Sequence, residues 1–534
     1  MPGDATAPGR FRRILGALRP RRPDWSILGP ICLSLIAWAF CYPPFPLGPL
    51  CFVVLVPAFA VTMRLSTRKA FAYHFAAGIG YNVVMYWWIY NVMKVGPALV
   101  IGMGLVVLIL FLSLFNGILG WLFRVLAGTR GGLFAFPFMW GGLEVLRTQG
   151  EMSFPWNNLG YALGHWLPLI QSASWMGIFG LSIAIVACNC LAFAAWQARG
   201  RRRMALGAVA AAIPAFLAIQ GAVALSGSEP GSATDTVDIA LVQPAIEQTR
   251  KWDEDYFRDV INKTWTTMEG SPRDSARLIG ADLIVLAETA VPDFLRSRPD
   301  LHDDFRRLAK RTGADVLVGA LDYIPDDKPW RKYIFYNSAF LFPGAPGRED
   351  VQQYSKLRLV PFSERLPFDD VFPIINYVNL GEGDFSPGKD YSIWDRKAIY
   401  APSICYEIIY PDFVRGARRR GARYLVNITN DGWFGVSNAP YMHANISKFR
   451  AVEAGMPIAR CSNAGISVFY DAHGRTLAKS KLNQEIVLRE KLPIATRETV
   501  YLRIGDWAES ALMWFFVIGF AGCWVLAWRM NRGS

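Results

Sequence analysis

Charge is scarce in this chain. Charged residues fill 19% of the 534 positions and hydrophobic residues 52%, whereas soluble proteins carry about 25% charge. That shortage argues against an ordinary soluble protein, provided the apolar residues fall in blocks. Metal-ligand spacing is also missing. There is no CxxC, the five histidines do not cluster, and no metal site can be read from the sequence. Cys32, Cys41, Cys51, Cys188, Cys190 and Cys523 lie in or beside apolar runs, where a thiol serves as a small packing group. Only Cys405 and Cys461 stand in polar sequence. Positive charge is in excess, with a net +13, and nucleic-acid binding is one reading of it. The arginines, however, gather beside hydrophobic runs: Arg10, Arg12, Arg13, Arg19, Arg21 and Arg22 before the first, and Arg199, Arg201, Arg202 and Arg203 between two later ones. Membrane topology places them there.

A spanning helix needs about 20 mostly apolar residues. Seven candidates precede residue 228: 26–42, 45–63, 71–93, 97–123, 132–146, 168–196 and 204–226. The fifth is short and interrupted by Pro137. An eighth candidate, 508–528, stands alone near the C-terminus. The first follows basic residues as a signal peptide does, but no small-residue cleavage site follows it and six more runs come after, so it reads as a retained helix. Basic residues alternate from loop to loop. The N-terminal tail is rich in them, 43–45 has none, Arg64, Arg68 and Lys69 follow, and Lys94 stands alone. Arg124 and Arg130 come next, then Arg147 alone, the four arginines at 199–203, and finally Arg529 and Arg532. This pattern puts tails 1–25 and 529–534 in the cytoplasm, a seven-span domain over 26–226, the polar region 227–507 on the opposite side, and a last span at 508–528.

Within 236–490 short β-branched runs alternate with helical ones. Strands are expected at 236–242, 282–286, 315–318, 337–342, 398–404, 424–428, 458–461 and 467–471, and helices at 256–269, 301–312 and 444–453. Such alternation makes an α/β layered domain.

Three segments carry chemistry. In 283–292 an apolar strand ends on Glu288 before a proline-containing loop; 354–364 holds Lys356 and Glu364; and 404–407 ends a buried-looking strand on Cys405, followed by Tyr406 and Glu407. A cysteine nucleophile needs a base for its proton and a cation or donor for the oxyanion that forms on the acyl carbon. Glu, Lys and Cys supply those functions. Taken singly, each has a bland reading: a solvated carboxylate, a surface lysine, a core thiol.

The motifs LAETAVP (286–292), YSKLRLVPFSERLP (354–367) and CYEIIYPDF (405–413) resemble the Glu–Lys–Cys motifs of the nitrilase superfamily and, more narrowly, apolipoprotein N-acyltransferase. The stretches 242–252, 427–435, 450–457 and 154–161, and Gln171 with 177–182, are similar to that family too. The resemblance implies a multi-pass α-helical membrane domain plus an α/β nitrilase-type αββα sandwich, in the bacterial inner membrane with the catalytic domain periplasmic. It implies Glu288 as general base, Cys405 as the nucleophile that carries a thioester, and Lys356 as stabiliser of the tetrahedral intermediate. Glu364 and Glu407 become supporting carboxylates, and Tyr406 contributes its backbone N–H to the oxyanion site. Trp252, Asn337, Trp433 and Trp156 match positions near the family's substrate site. For Glu364 and Glu407 the alternative is a salt bridge that merely stiffens a loop; for Trp252 and Trp433 it is interfacial anchoring. One departure is visible: the family reads PFGE where this chain has Ser363 before Glu364, and serine does not take positive φ as cheaply as glycine. Cys461 and His443 match no catalytic motif, and no role is assigned to them.

The implied reaction has two partners, a phospholipid acyl donor and a diacylglyceryl-modified apolipoprotein acceptor. It needs no cofactor, because the ester already stores the energy. A membrane-tethered amidase or hydrolase of the same superfamily is the rival, and seven spans are far more than a tether requires. A transporter is the other rival, since intramembrane charges mark transport paths, but Glu144 stands near the end of a short run. The Phe- and Ile-rich segment 367–380, with Phe372 and Ile375, reads as a membrane-facing lid that handles the lipid substrates, the alternative being that it packs on the domain core. The charge alternation predicts that a reporter fused near residue 350 is active only where exported. Activity on the cytoplasmic side would overturn the orientation.

Overall fold

The computed structural model describes residues 24–94, 98–227, 235–269, 278–328, 331–347, 350–369, 371, 385–494 and 497–532. The N-terminal apolar runs form helices α1 (Trp25–Ala39), α2 (Val56–Thr62), α3 (Thr67–Tyr86), α4 (Ala98–Leu126), α5 (Gly132–Leu146), α6 (Ala173–Gln197) and α7 (Gly200–Ser226). Among the described residues, Ile101–Leu126, Ala173–Gln197, Gly200–Ser226 and Val500–Met530 are long and apolar enough to cross a bilayer, while Trp25–Ala39, Gly48–Thr62 and Gly132–Leu146 are apolar but shorter. The run expected at 168–196 is broken in two places. A short helix, Leu167–Ile170, precedes α6, and Gly177 inside α6 has φ 64° and ψ −178°. That conformation suits only glycine.

The polar region folds as two sheets. The first has seven strands: β1 (Thr236–Gln243), β2 (Leu283–Leu286), β3 (Val291–Phe294), β4 (Asp315–Lys328), β5 (Arg331–Phe342), β6 (Gln352–Ser355) and β13 (Ile486–Pro493), in the order β13-β1-β2-β4-β5-β6 with β3 beside β4. The second runs β12-β11-β10-β9-β8-β7, from β7 (Trp394–Asp395), β8 (Ile399–Ile404), β9 (Tyr424–Thr429), β10 (Ile458–Ser462), β11 (Val468–Tyr470) and β12 (Thr476–Lys479). Each sheet has a parallel centre, β1-β2-β4 and β8-β9-β10. Parallel strands covered on both faces read as unbroken apolar runs, as 239–242 and 424–426 do.

Side-chain alternation along a strand sorts the first sheet's faces. Ile239, Leu241, Leu283, Val285 and Leu317 pack with Tyr400, Leu425 and Ile458 of the second sheet. Ala240, Val242, Ile284, Leu286, Val316 and Val318 form a separate core with Phe305 and Leu308. Those two belong to helix α9 (Pro299–Thr312), which lies beside α8 (Phe257–Glu269) on the outer face. Helices α10 (Pro411–Arg419) and α11 (Ala439–Ala454) pack with the second sheet. The result is the αββα sandwich. Two expected strands are longer than anticipated: 315–318 and 337–342 are the ends of one antiparallel hairpin, β4–β5. Strands β3, β6, β7, β12 and β13 and helix α10 went unforeseen.

The sandwich is bolted to the helices at several points. Glu453 of α11 accepts from Ile178 N at 2.7 Å, capping α6 where it restarts after Gly177. Arg415 of α10, 3% exposed at its side chain, pairs with Asp506 at 2.5 Å and Glu509 at 2.8 Å in the C-terminal helix α12 (Val500–Arg532). Helix α12 then crosses α5 closely: a Cβ on Gly142 would stand 2.4 Å from Leu512 O and 2.6 Å from Phe516 Cβ. Between helices in lipid, association rests on such close packing of small residues. Gly142→Val should therefore lower the stability of the detergent-solubilised protein by about 1–3 kcal/mol through overpacking. Gly29→Val, where nothing stands within 4 Å, should not. Equal thermal unfolding of the two variants would show that α5 and α12 do not depend on this contact.

Candidate active site

The three motif segments converge at one end of the sandwich, beyond the C-terminal ends of parallel strands, where open α/β sheets build sites. Glu288 follows β2, Cys405 follows β8, Asn337 lies in β5, and Lys356 directly follows β6. Lys356 is 1% exposed. Its ammonium donates to Glu364 Oε1 at 2.7 Å and reaches Glu288 Oε1 at 3.5 Å. Asn337 Nδ2 donates to both carboxylates, at 2.8 Å to Glu288 and 3.1 Å to Glu364. The other oxygen of Glu288 accepts from Asn430 N at 2.9 Å, and that of Glu364 from Val360 N at 2.8 Å. Burial alone would lower the Lys356 ammonium. The Glu364 and Glu288 charges outweigh it and hold the group above its ordinary range. Burial pushes the Cys405 thiol well up and the Glu288 carboxylate adds to this, while the Lys356 ammonium and a hydrogen bond with Thr429 pull it down. The resting sulfur is a thiol, so it reacts only if a base takes its proton as the new bond forms.

Glu407 is placed differently from a salt-bridge partner. It is fully buried, and one oxygen accepts from Tyr354 Oη at 2.6 Å, Leu357 N at 2.6 Å and Arg358 N at 3.3 Å, while the other accepts from Ile404 N at 2.6 Å. It therefore ties the lysine segment to the cysteine segment. Burial pushes its carboxyl up to about 7, against the hydrogen bonds from Tyr354, Ile404 and Leu357. The backbone around the site is strained. Cys405 has φ 49°, Thr289 φ 47° and Phe362 φ 63°, and left-handed non-glycine residues cost of order 1–3 kcal/mol each. The departure at Ser363 resolves here: the left-handed residue of that turn is Phe362, so the serine bears no such strain.

His443, to which the sequence assigns no role, lies beneath the cysteine. Its Nε2 is 3.3 Å from Cys405 O and its Nδ1 2.9 Å from Asp431 Oδ1. Arg460 donates to Asp431 at 2.7 and 2.9 Å, to His443 Nδ1 at 3.1 Å and to Asn427 at 2.7 Å. Burial and the Arg460 charge hold the imidazole below its ordinary range despite Asp431. Cys405 O and the Asp431 carboxylate can both only accept, so a neutral ring, with one N–H, satisfies one of them at a time. Lys251, equally unforeseen, is 1% exposed and donates to Glu288 O at 3.0 Å. Cys461 is core, its Sγ directed at Val242 O and Val285 O.

A cavity of about 370 Å³ opens onto Cys405, Lys356, Glu288 and Glu364. Trp156, Trp252, Trp433, Tyr406 and Asn337 line it, and it continues along Ile101, Leu105 and Leu108 of α4. Trp252 and Trp433 stack on each other at 6.3 Å, and Trp156 lies over Tyr406 at 6.4 Å. Tyr406 Oη donates to Ser153 O at 3.0 Å. Glu144 accepts from Trp140 Nε1 at 3.0 Å and Leu159 N at 2.8 Å, so it holds the turn that carries Trp156. Phe372 and Ile375 lie outside the described residues.

The chain matches two family models, described as apolipoprotein N-acyltransferase N-terminal domain over residues 34–191 and carbon-nitrogen hydrolase over residues 238–500. A protein of Geobacter metallireducens named apolipoprotein N-acyltransferase is 32% identical over 509 residues, covering 93% of this chain and 94% of its own length. One of the same name from Chlorobaculum tepidum is 29% identical over 536 residues, covering 94% and 96%. Among solved structures, a cysteine-to-alanine mutant of the Nesterenkonia AN1 amidase from the nitrilase superfamily aligns at 20% identity and a TM-score of 0.35, over 51% of this chain and 95% of its own.

The geometry around Glu407 makes a prediction. Glutamine there would turn an NH2 toward backbone N–H donors on one side or the other. Glu407→Gln should cost about 1–3 kcal/mol, the penalty for an unsatisfied buried group, and should raise the accessibility of the Cys405 thiol to a maleimide. Unchanged stability and labelling would mean that the carboxylate does not hold the cysteine turn.

Proposed function

This chain belongs to the apolipoprotein N-acyltransferase family, and from that membership we propose that it moves an acyl chain from a phospholipid to the α-amine of a diacylglyceryl-modified lipoprotein cysteine, through a thioester on Cys405. It is an acyltransferase. The observation that carries the finer reading is the cavity, which joins a buried Glu–Lys–Cys cluster to an apolar wall of α4, a helix whose residues Leu99, Met103 and Val106 are exposed. Acyl chains require such a wall, and the small amides of a soluble amidase do not.

In the first half-reaction Glu288 takes the Cys405 proton as the sulfur attacks the ester carbon. Lys356 and the Tyr406 N–H face the oxyanion. The C–O bond to the glycerol breaks, and the proton passes from Glu288 to that oxygen, releasing a lysophospholipid. In the second, a neutral α-amine attacks the thioester, loses a proton to Glu288, and the sulfur leaves and is reprotonated. An α-amine of pKa about 7.7–8.0 supplies enough of the neutral form near pH 7. We place the seven N-terminal runs and residues 508–528 of α12 across the inner membrane, with 227–507 in the periplasm, where the arginine alternation puts them.

The roles are tested on the acyl-enzyme. With labelled phospholipid, the wild-type protein and Cys461→Ala should retain label that a thioester-cleaving wash removes, and Cys405→Ala should retain none. Mass spectrometry of a lipoprotein N-terminus should then show the added acyl chain only with the active protein. Label retained on Cys405→Ala rejects the nucleophile. Release of free fatty acid in place of acyl transfer would make the chain a hydrolase.

A further inference from the structure

A second group of charges stands away from the Cys405 cavity, and no residue of it lines that cavity. Helix α11 carries Tyr441 and, two turns on, Lys448; strand β12 carries Lys479; and the loop after the 159–163 turn carries His165. Lys448 Nζ donates to Gly164 O at 2.9 Å and lies 5.8 Å from the Tyr470 ring centre. Lys479 Nζ lies 5.8 Å from that of Tyr441. A Cβ on Gly48, in the loop between α1 and α2, would stand 3.3 Å from Cδ1 of Trp166, the residue after His165. The three groups act on one another: burial, then Lys448 and Lys479, lower His165, so the imidazole joins the two ammoniums as a neutral hydrogen-bonding ring, and burial, then Lys479, lower Lys448 to about 8.

The contrast with Lys356 is chemical. That buried ammonium has two carboxylates. Among the described residues, none of Lys448, Lys479 and His165 has a carboxylate within ion-pairing distance. Beside them the loop between α1 and α2 and the end of the His165 loop expose Phe45, Leu47, Leu50 and Trp166, each at least 40%. Apolar side chains of this kind enter a bilayer at the headgroup level, with Trp at the interface. Cations set just above such side chains, short of a counter-charge, meet lipid phosphates.

We propose that Lys448, Lys479 and His165 form a binding site for the phosphate of an anionic phospholipid headgroup, seated at the rim of the membrane domain with its acyl chains beside Phe45 and Leu50. The site needs only the membrane placement of the helices and is independent of the acyl-transfer reading. Its failure would leave the thioester experiment untouched, and the reverse also holds.

Lysine acetylation at pH 8, read by peptide mass spectrometry on the whole protein in nanodiscs, tests it. Lys94, exposed and next to the same membrane domain, reports the general surface potential. On changing phosphatidylcholine discs for discs containing phosphatidylglycerol, Lys448 should slow about fivefold more than Lys94, the effect at pH 8 of raising an amine's pKa by one unit from about 8. Lys479 should slow more than Lys94 as well, and Lys479→Gln should reduce the excess protection of Lys448. Slowing equal to that of Lys94 overturns the site. Equal protection by inorganic phosphate in phosphatidylcholine discs overturns the lipid as its occupant.

Discussion

A lysine ammonium with 1% exposure is the constraint on which the candidate site depends. Removing such a charge from water costs several kcal/mol even after relaxation, and removing one partner of a buried pair costs about 3–5 kcal/mol. Lys356 can stay charged only if Glu288 and Glu364 are both held beside it, and each is held by a backbone N–H on its far oxygen. Asn337 bridges the two carboxylates, which would otherwise repel. Five segments are thereby fixed relative to one another: the end of β2, β5, the end of β6, the turn at 360–364, and the end of β9. Lys251 adds a sixth by holding the Glu288 carbonyl.

The cysteine joins this frame through a second set of buried polar contacts. Glu407 fastens its turn to the lysine segment, and the Asp431–His443–Arg460 network meets its carbonyl from below. The same turn meets the membrane domain: Tyr406 and Tyr410 reach Ser153, and Trp156 stacks on Tyr406. Asn91, just beyond α3, donates to Phe434 O at 2.9 Å. The helices therefore contribute to the walls and supports of the cavity as well as anchoring the sandwich, and this is the structural difference from a soluble enzyme on a tether.

How much of this was legible depends on where the information lies along the chain. Glu288 and Cys405 could be found because each follows a short apolar strand, and Lys356 because it stands in a local motif after the polar strand β6. The network under Cys405 could not: residues 431, 443 and 460 sit on three elements, and nothing local shows that a buried aspartate, histidine and arginine will meet. The outer part of hairpin β4–β5 is hidden because Gly319, Asp322 and Pro325 interrupt the first strand, and glycine or proline inside a run weakens it as a strand. Strand β13 was hidden by the charges Arg489, Glu490 and Lys491, which suit an edge position where Arg489 pairs with Asp238 at 2.7 Å. The α/β layered class did not need these elements, because the central parallel strands, buried on both faces, carry the strongest signal; the αββα arrangement came from the family resemblance.

The two contacts of Lys356 are unequal, 2.7 Å to Glu364 and 3.5 Å to Glu288, and the inequality suits the proposed reaction. At rest the ammonium and two carboxylates sum to one negative charge. When Glu288 takes the thiol proton, its share of the attraction on Lys356 disappears, and that negative charge moves to the sulfur and then to the acyl oxygen. The ammonium loses only its longer contact and keeps the shorter one, which holds it in place. It is then free to face the new anion without travelling. Charge that is already oriented before the reaction needs little reorganisation during it, and preorganisation of this kind is the main source of electrostatic stabilisation in enzyme sites. In this arrangement Glu364 restrains Lys356 so that Glu288 can exchange its proton.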